Sequence, residues 1–158
     1  MKRVLMGALV AAFVCLAGSV VAEDAKAPAK APAKKAAAPA YKIWAASDMK
    51  WADTEMKGIQ ISALWGDPKK GEYGAMEKFA AGTDVGWHTH TNRMRLVMVS
   101  GTLVLEVKGQ PAKEIGPGGF ADDPGKVVHH TSCKAGADCV FFVHQHGKFD
   151  FLPVEEKK

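Results

Sequence analysis

The sequence predicts an all-β domain, either a sandwich or a barrel, and three observations support this fold class. From residue 41 onward, short apolar runs follow one another along the chain. Gly, Pro, Asp or Asn bounds each run, as expected where strands end in turns. No long segment repeats its apolar residues with the 3.6-residue period of a helix. Short, evenly spaced strands separated by Gly- and Pro-rich turns are typical of closed β architectures.

The predicted elements begin with one turn of helix and continue as strands. "SDMKWAD" is the helix candidate, a single turn that Ser47 or Asp48 would cap. The strand candidates are, in chain order, "KGIQISALW", "AMEKFAAGTD", "MRLVMVSG", "TLVLEVKGQP", "AKEIGPGG", "VVHHTSC" and "CVFFVHQHG". "GDPKKGEYG" predicts a turn between the first two of them, and Ser100 and Gly101 predict a tight turn that joins two strands.

Residues 1–22 have the features of an export signal. Lys2 and Arg3 precede an apolar stretch, and the small-residue sequence "VVA" precedes Glu23. The alternative is a lipoprotein acylated at Cys15, although Val14 stands where lipid attachment requires a small residue. A cleaved signal predicts a secreted or periplasmic bacterial protein without stable membrane insertion.

Composition divides the rest of the chain into a linker, one domain and a tail. Residues 23–40 contain Ala, Pro and Lys but no aromatic residue, which predicts a disordered linker. Residues 41–154 are long enough for one domain with a core, and residues 155–158 form a charged tail. Basic and acidic residues are balanced once the signal and linker are set aside. This balance argues against a nucleic-acid partner, which would require a basic face.

Cys133 and Cys139 remain after removal of the signal, and they predict a disulfide because export exposes them to an oxidising compartment. The intervening "KAGAD" has the composition of a turn, so we expect the bridge to close a hairpin between two strands. A thiolate metal site is the alternative, although the five-residue spacing is wider than in zinc knuckles.

His88 and His90 stand one residue apart at the head of an apolar strand. Residues i and i+2 of a strand point to the same face, so the two imidazoles project in parallel. A metal ion is the usual group that such a pair shares.

The pattern around these histidines resembles the cupin superfamily of small jelly-roll barrels. Gly82, His88, His90 and Gly101 match the first cupin motif, and Met94 stands at its Glu position. In the second motif Pro124 and His129 match, whereas Lys126 replaces the Gly and Cys133 replaces the Asn. The ending "FFVHQHGKFDF" further resembles a secreted, functionally uncharacterised cupin branch.

The resemblance implies that His88, His90 and His129 converge inside the barrel on a divalent transition metal. Imidazole nitrogen suits iron, copper, manganese, nickel and zinc, and three protein ligands leave positions open for water, oxygen or substrate. The alternative is a barrel in which the histidines are satisfied by hydrogen bonds and no metal binds.

Met94 stands where the motif normally has a glutamate, so the carboxylate of that glutamate is absent. A thioether would favour copper over iron or manganese, which makes Met94 a candidate ligand. Met94, Leu96 and Met98 share one strand face, and methionine also fills gaps in cores, which is the role we expect of Met98.

Four further side chains near these motifs carry groups that bind metals or anions. If the cysteine bridge spans a regular hairpin, His129 and Val143 share one face, and His144 and His146 lie on the other as surface residues or a weak second site. His130 is excluded by the same alternation. Arg93, at the mouth of the barrel, is a candidate anchor for an anionic ligand, with a solvated loop arginine as the alternative.

Three functions follow from these features. The first is a metal-dependent enzyme acting on a small molecule, and the second is a non-catalytic periplasmic protein that binds copper or a small ligand. The third is a metal-free barrel used in assembly, since cupins dimerise by strand exchange and surface Trp or Phe residues could support a homodimer.

Overall fold

A computed structural model describes residues 40–155 of the chain. The predicted export signal, the predicted charged tail beyond Glu155 and the predicted linker before Ala40 lie outside the described residues, so these remain predictions. Within residues 40–155, no helix is long and apolar enough to cross a membrane.

One 3-10 turn precedes the strands and overlaps the start of "SDMKWAD", but its N-cap is Ala45, so the predicted cap at Ser47 or Asp48 is wrong. The turn spans Ala46–Asp48, and the Asp48 carboxylate accepts a hydrogen bond from the Ala45 amide at 2.9 Å. The strands that follow are β1 (Ala52–Asp53), β2 (Ile59–Gly66), β3 (Tyr73–Phe79), β4 (Asp84–Thr89), β5 (Met94–Ser100), β6 (Leu103–Val107), β7 (Lys113–Ile115), β8 (Phe120–Asp123), β9 (His129–Cys133), β10 (Cys139–Gln145) and β11 (Leu152–Pro153).

The strands form two antiparallel sheets that enclose one interior. The six-stranded sheet has the order β1-β2-β3-β10-β5-β8, and the five-stranded sheet has the order β11-β4-β9-β6-β7. This arrangement confirms the all-β jelly-roll fold expected from the sequence.

The core lies between the inner faces of the two sheets, and strict alternation along β10 shows how the sequence builds it. Cys139, Phe141 and Val143 are buried, whereas the residues between them are partly exposed on the outer face. On β5, Leu96 and Met98 face the same interior, and Met98 is 2% exposed. Met98 therefore has the core role that the sequence predicted.

The predicted hairpin between Cys133 and Cys139 is wrong. β9 belongs to the five-stranded sheet and β10 to the six-stranded sheet, so the segment between them crosses from one sheet to the other. Thr131 pairs with Leu105 on β6 instead of with Phe141. Local alternation shows which face of a strand is buried but does not encode which strand lies beside it.

The tight turn at Ser100 and Gly101 also crosses between sheets, because β5 and β6 belong to different ones. Gly101 has a φ of +73°, and a Cβ there would lie 2.4 Å from the Asp138 carbonyl oxygen. Glycine is required because the two crossings pass close to each other at this point.

Candidate metal centre

Three buried histidines from neighbouring segments meet inside the barrel. His88 on β4 pairs in register with His129 on β9, and His90 follows directly after the end of β4. The ring centroids are 4.2 Å apart for His88 and His129, 4.9 Å for His88 and His90, and 5.4 Å for His90 and His129. One ring nitrogen from each lies within 4.8 Å of the other two. The structure therefore brings together the three histidines that the cupin motifs identified.

Backbone carbonyls orient all three rings through the same nitrogen. The distances from Nδ1 to the carbonyl oxygen are 2.9 Å for His88 and Gly86, 2.6 Å for His90 and Asp150, and 2.9 Å for His129 and Val127. A carbonyl only accepts hydrogen bonds, so each neutral ring carries its proton on Nδ1. The lone pair on Nε2 is therefore available in every ring, which is the arrangement found in metal-binding histidines.

A bulge in β4 sets the position of the carbonyl that holds His88. The register between β4 and β9 shifts between Asp84 and Trp87, and Gly86 lies within that shift with a φ of +72°. The Gly86 amide donates to the Asp84 carboxylate at 2.8 Å. The bulge thus turns the Gly86 carbonyl toward the imidazole two residues ahead.

Burial keeps His88 and His90 in the form that a metal requires. Desolvation lowers the pKa of His88 to about 3 and also lowers the pKa of His90. Hydrogen bonds to the backbone oppose this shift, but burial is the larger cause in both rings. Neutral imidazole is the form that donates its lone pair to a metal.

The histidines line an interior cavity of about 760 Å³. Apolar side chains form most of its wall, and the segment before β11 covers the histidines from one side. The Phe151 ring stacks on His88 with 4.4 Å between centroids, and the Phe149 ring lies 5.7 Å from His90. A cavity of this size and composition suits a small molecule.

Three polar side chains that sequence reasoning missed also line the cavity. Tyr73 and Glu77 project from the inner face of β3, and Asp123 lies at the end of β8. Burial raises the pKa of the Glu77 carboxyl to about 7. The Tyr73 hydroxyl has no hydrogen-bond partner among residues 40–155. Tyr73 and Glu77 are the first and fifth residues of "YGAME" and share one face of the strand. The alternation of apolar and polar residues around them does not predict that this face is a polar part of the interior.

Asp123 supplies a carboxylate close to the position where Met94 lacks one. Met94 lines the cavity and pairs in register with Asp123 across β5 and β8. Asp123 Oδ1 accepts from the Gly125 amide at 2.8 Å, whereas the buried Oδ2 has no hydrogen-bond partner in the described chain. That oxygen lies 3.9 Å from His129 Nδ1. The sequence suggested only a turn at Asp122 and Asp123, because a carboxylate before proline is common in turns.

Arg93 is placed on the outer surface, where its charge is already paired. Its guanidinium binds the Asp122 carboxylate, with Nε 2.7 Å from Oδ1. Arg93 does not line the cavity. The anchoring role predicted for Arg93 would therefore require this ion pair to break, and it remains a prediction, as does the ligand role of Met94.

The other histidines face outward, as expected, although the hairpin used to argue this does not form. His130 Nε2 lies 2.8 Å from the Asp84 carboxylate, and His144 Nε2 lies 2.7 Å from the Glu72 carboxylate. His144 faces outward because the inner face of β10 consists of Cys139, Phe141, Val143 and Gln145. None of these outward histidines joins the three-histidine group.

Cys133 and Cys139 are joined by a disulfide that connects the two sheets. The predicted bridge is confirmed, and the alternative of a thiolate metal site is wrong because the two sulfurs are bonded to each other.

Comparison with known proteins gives a family and a fold. A family model described as a domain of unknown function, DUF4437, matches residues 22–152. No curated protein matches the sequence. Among solved structures, the polyketide cyclase RemF from Streptomyces resistomycificus has a TM-score of 0.63 and 17% identity, over 75% of this chain and 89% of that one.

Two further structures give the same result. An RmlC-like cupin from Shewanella frigidimarina has a TM-score of 0.54 and 17% identity, over 68% of this chain and 92% of that one. A structure of the DMSP lyases RdDddP and RnDddQII has a TM-score of 0.55 and 17% identity, over 68% of this chain. The match spans 63% of that lyase chain, less than two thirds of its length. At these identities the likeness establishes the fold, and it confirms the cupin jelly roll expected from the histidine motifs.

Proposed function

Because the chain belongs to the DUF4437 family of unknown function, we propose, from its own geometry, that it is a metal-binding cupin. In this proposal His88, His90 and His129 hold one divalent transition metal, and a small molecule occupies the adjoining cavity. The first candidate activity is metal-dependent conversion of that small molecule.

The observation that carries the proposal is the shared orientation of three rings. Each Nδ1 is bonded to a backbone carbonyl, and this leaves three Nε2 lone pairs in one buried group. A barrel that merely tolerated buried histidines would satisfy both nitrogens of each ring. The buried Oδ2 of Asp123, which has no hydrogen-bond partner among residues 40–155, lies 3.9 Å from His129 Nδ1 and adds an oxygen donor beside the group.

The chain's own residues would prepare a small molecule for reaction. A bound divalent metal supplies Lewis-acid polarisation of a coordinated oxygen atom. The apolar wall and the rings of Phe149 and Phe151 lie against the histidines and would limit the access of water to a bound metal. Tyr73 offers a hydroxyl donor and Glu77 a carboxyl group, so the cavity contains polar groups that can orient an oxygen-bearing ligand.

Met94 favours a second candidate, a non-catalytic copper-binding protein. Its thioether replaces the carboxylate of the cupin motif and lines the same cavity as the histidines. Sulfur and imidazole together select copper, and in particular Cu(I). Stoichiometric copper that is lost in M94A but kept in M98A would support this candidate, because Met98 lies in the core away from the cavity wall.

The protein is further proposed to be exported to the periplasm or secreted. The charged start, apolar stretch and small-residue site at residues 1–22 support this, and so does the Cys133–Cys139 bridge, since disulfides persist in oxidising compartments. Cell fractionation should place the protein outside the cytoplasm with a mature N-terminus near Glu23. Retention in the cytoplasm at full length would contradict export.

Metal analysis of the purified, tag-free mature protein tests the metal proposal. The inner site should hold one equivalent of iron, manganese, nickel, zinc or copper, and H129A should lose it. H130A is the matched control because His130 is the next residue on β9 and faces outward. Equal metal content in H129A and the wild type would place the metal elsewhere and contradict the proposed site.

A further inference from the structure

A second group of metal-ligating side chains lies on the outer face of the six-stranded sheet. We propose that Glu72, His144 and His146, here called the outer site, bind one Cu²⁺ or Zn²⁺ ion independently of the inner histidines. Glu72 precedes β3, His144 lies near the end of β10, and His146 follows β10 directly.

Strand geometry brings the three ligands together. His144 and His146 are two residues apart, so their rings project from the same side of the chain, with 4.4 Å between centroids. His144 pairs in register with Gly74, which places Glu72 at the adjoining end of β3. One donor atom from each of the three side chains lies within 4.8 Å of the other two.

The hydrogen bonds at the outer site show where the ion would sit. His144 Nε2 donates to Glu72 Oε1 at 2.7 Å, and His146 Nδ1 lies 4.0 Å from the same oxygen. A metal at this point would replace the proton between His144 and Glu72 and would gain His146 as its third ligand. His144 already contacts the carboxylate, and His146 Nδ1 needs only a small movement from 4.0 Å to share the ion with it.

The donor set determines which metals fit. Two imidazoles and one carboxylate suit Cu²⁺, Zn²⁺ and Ni²⁺, whereas Ca²⁺ and Mg²⁺ require a shell of oxygen ligands. Affinity for such a set rises toward Cu²⁺ and is lower for Zn²⁺. With only three ligands at a partly exposed position, the ion would keep water in its remaining positions.

Arg95 opposes the ion and therefore offers a sensitive test of its position. Arg95 Nη1 donates to His146 Nε2 at 2.9 Å, and its Nε lies 3.5 Å from the Asp122 carboxylate. Removing a positive charge this close should strengthen binding of a divalent cation several-fold. The R95Q variant keeps a polar side chain of similar length while removing the charge.

Trp65 provides an optical readout at the same place. Its ring centroid lies 6.2 Å from that of His144, and its side chain is 43% exposed on the outer face of the sheet. Cu²⁺ bound at the outer site should quench Trp65 fluorescence. The W65F variant should lose that quenching while it still takes up the metal.

The decisive experiment measures metal stoichiometry of the mature protein with Zn²⁺ and, separately, with Cu²⁺ by equilibrium dialysis. If the outer site binds metal, the wild type and H130A should take up one equivalent of metal that the double variant H144A/H146A does not. E72Q should bind this metal at least tenfold more weakly than the wild type. R95Q should bind more tightly than the wild type.

This experiment tests the proposals for the inner and outer sites independently. Loss of one equivalent in H129A reports on the inner site alone, and loss in H144A/H146A reports on the outer site alone. Uptake that H144A/H146A leaves unchanged would overturn the outer site. Unchanged or weaker binding in R95Q would also overturn it, because the ion would then lie elsewhere.

Discussion

Each of the inner histidines is oriented by a backbone oxygen, so small changes in the main chain should alter the metal site. Gly86 is the clearest case, because its carbonyl accepts from His88 Nδ1 and its φ is +72°. An alanine Cβ at Gly86 would meet nothing within 4 Å. The strain of G86A is therefore confined to the backbone and should cost about 1 kcal/mol of unfolding free energy.

We expect G86A to weaken metal binding in addition to this loss, because the Gly86 carbonyl would turn away from the imidazole. G82A is the matched control: Gly82 has a φ of +79° and open space around its Cβ, but it contacts none of the three histidines. Chemical denaturation should show similar losses in both variants, and dialysis should show weaker metal binding only in G86A. Equal metal affinity in the two variants would mean that the Gly86 carbonyl does not position His88.

Lys126 replaces the glycine of the second cupin motif, yet it keeps the backbone conformation that glycine favours. Its φ is +62°, and its amide donates to the His90 carbonyl at 2.7 Å. Relief of the left-handed strain exceeds the entropy that glycine adds to the unfolded chain, so K126G should gain roughly 0.5–1 kcal/mol of unfolding free energy. K126A keeps the strain, and a thermal melt that shows the same gain in K126A would contradict this explanation.

Glu77 should make stability depend on pH. Its neighbours across the strands are Ile61 and Phe141, and burial raises its pKa to about 7 from 4.5 in the unfolded chain. Between those two pH values the unfolded chain has released the proton and the folded protein has kept it. The unfolding free energy therefore falls as the pH rises from 4.5 to 7, by about 3 kcal/mol.

The E77Q variant removes this titration. Denaturation from pH 4 to 8 should show that the wild type loses stability relative to E77Q up to about pH 7, with no further change above it. The comparison of the two proteins cancels the opposite trend from His88 and His90, whose lowered pKa values destabilise the fold as the pH falls below 6.5. A constant difference between wild type and E77Q across this range would contradict a half-buried Glu77 that keeps its proton up to about pH 7.

Sequence reasoning identified His88, His90 and His129 because their spacing matches a motif, and a motif is a local signal. It missed Glu77 and Asp123 because a carboxylate in a short strand or before a proline is usually exposed. Their roles depend on which residues lie across the strands, and that information is not local.

At the level of the strands, the sequence predicts which residues of a strand are buried, but it does not predict the order of the strands in the two sheets. The burial pattern of β10 separates Val143 from His144 as the sequence predicted. The assumed pairing of β9 with β10 was wrong because jelly-roll connections cross between sheets, and the turn "KAGAD" has the same composition whether it joins neighbours or crosses. The outward position of His144 was predicted correctly, because alternate residues of β10 face opposite sides of the sheet whichever strand lies beside β10.

The disulfide connects the two sheets, yet it should contribute only modestly to stability because it closes a short loop. Cys133 and Cys139 are six residues apart. In the chain-entropy model, the C133S/C139S variant should lose about 2 kcal/mol of unfolding free energy. Mass spectrometry without reductant should find the bridge intact in the wild type.

The same variant should retain the inner metal, because the bonded sulfurs are not ligands in this account. Loss of all bound metal from folded C133S/C139S would contradict that assignment.

At the scale of the whole molecule, the two-sheet barrel separates two kinds of histidine. Those on the inner faces lie buried around the cavity, and those on the outer faces pair with Asp84 and Glu72. The all-β fold class followed from composition and turn spacing, since short strands bounded by glycine and proline permit few other architectures. The identity of a small-molecule ligand did not follow, because the apolar cavity wall derives from residues that any core would use.

We propose that three Nε2 atoms inside the barrel bind one transition metal. The most direct measurement is a crystal structure of the purified protein, with diffraction collected above and below the absorption edge of the metal found by elemental analysis. We expect one interior anomalous peak in contact with Nε2 of His88, His90 and His129. Crystals of metal-saturated protein without that peak, or with a peak bound to the Nδ1 atoms, would contradict it.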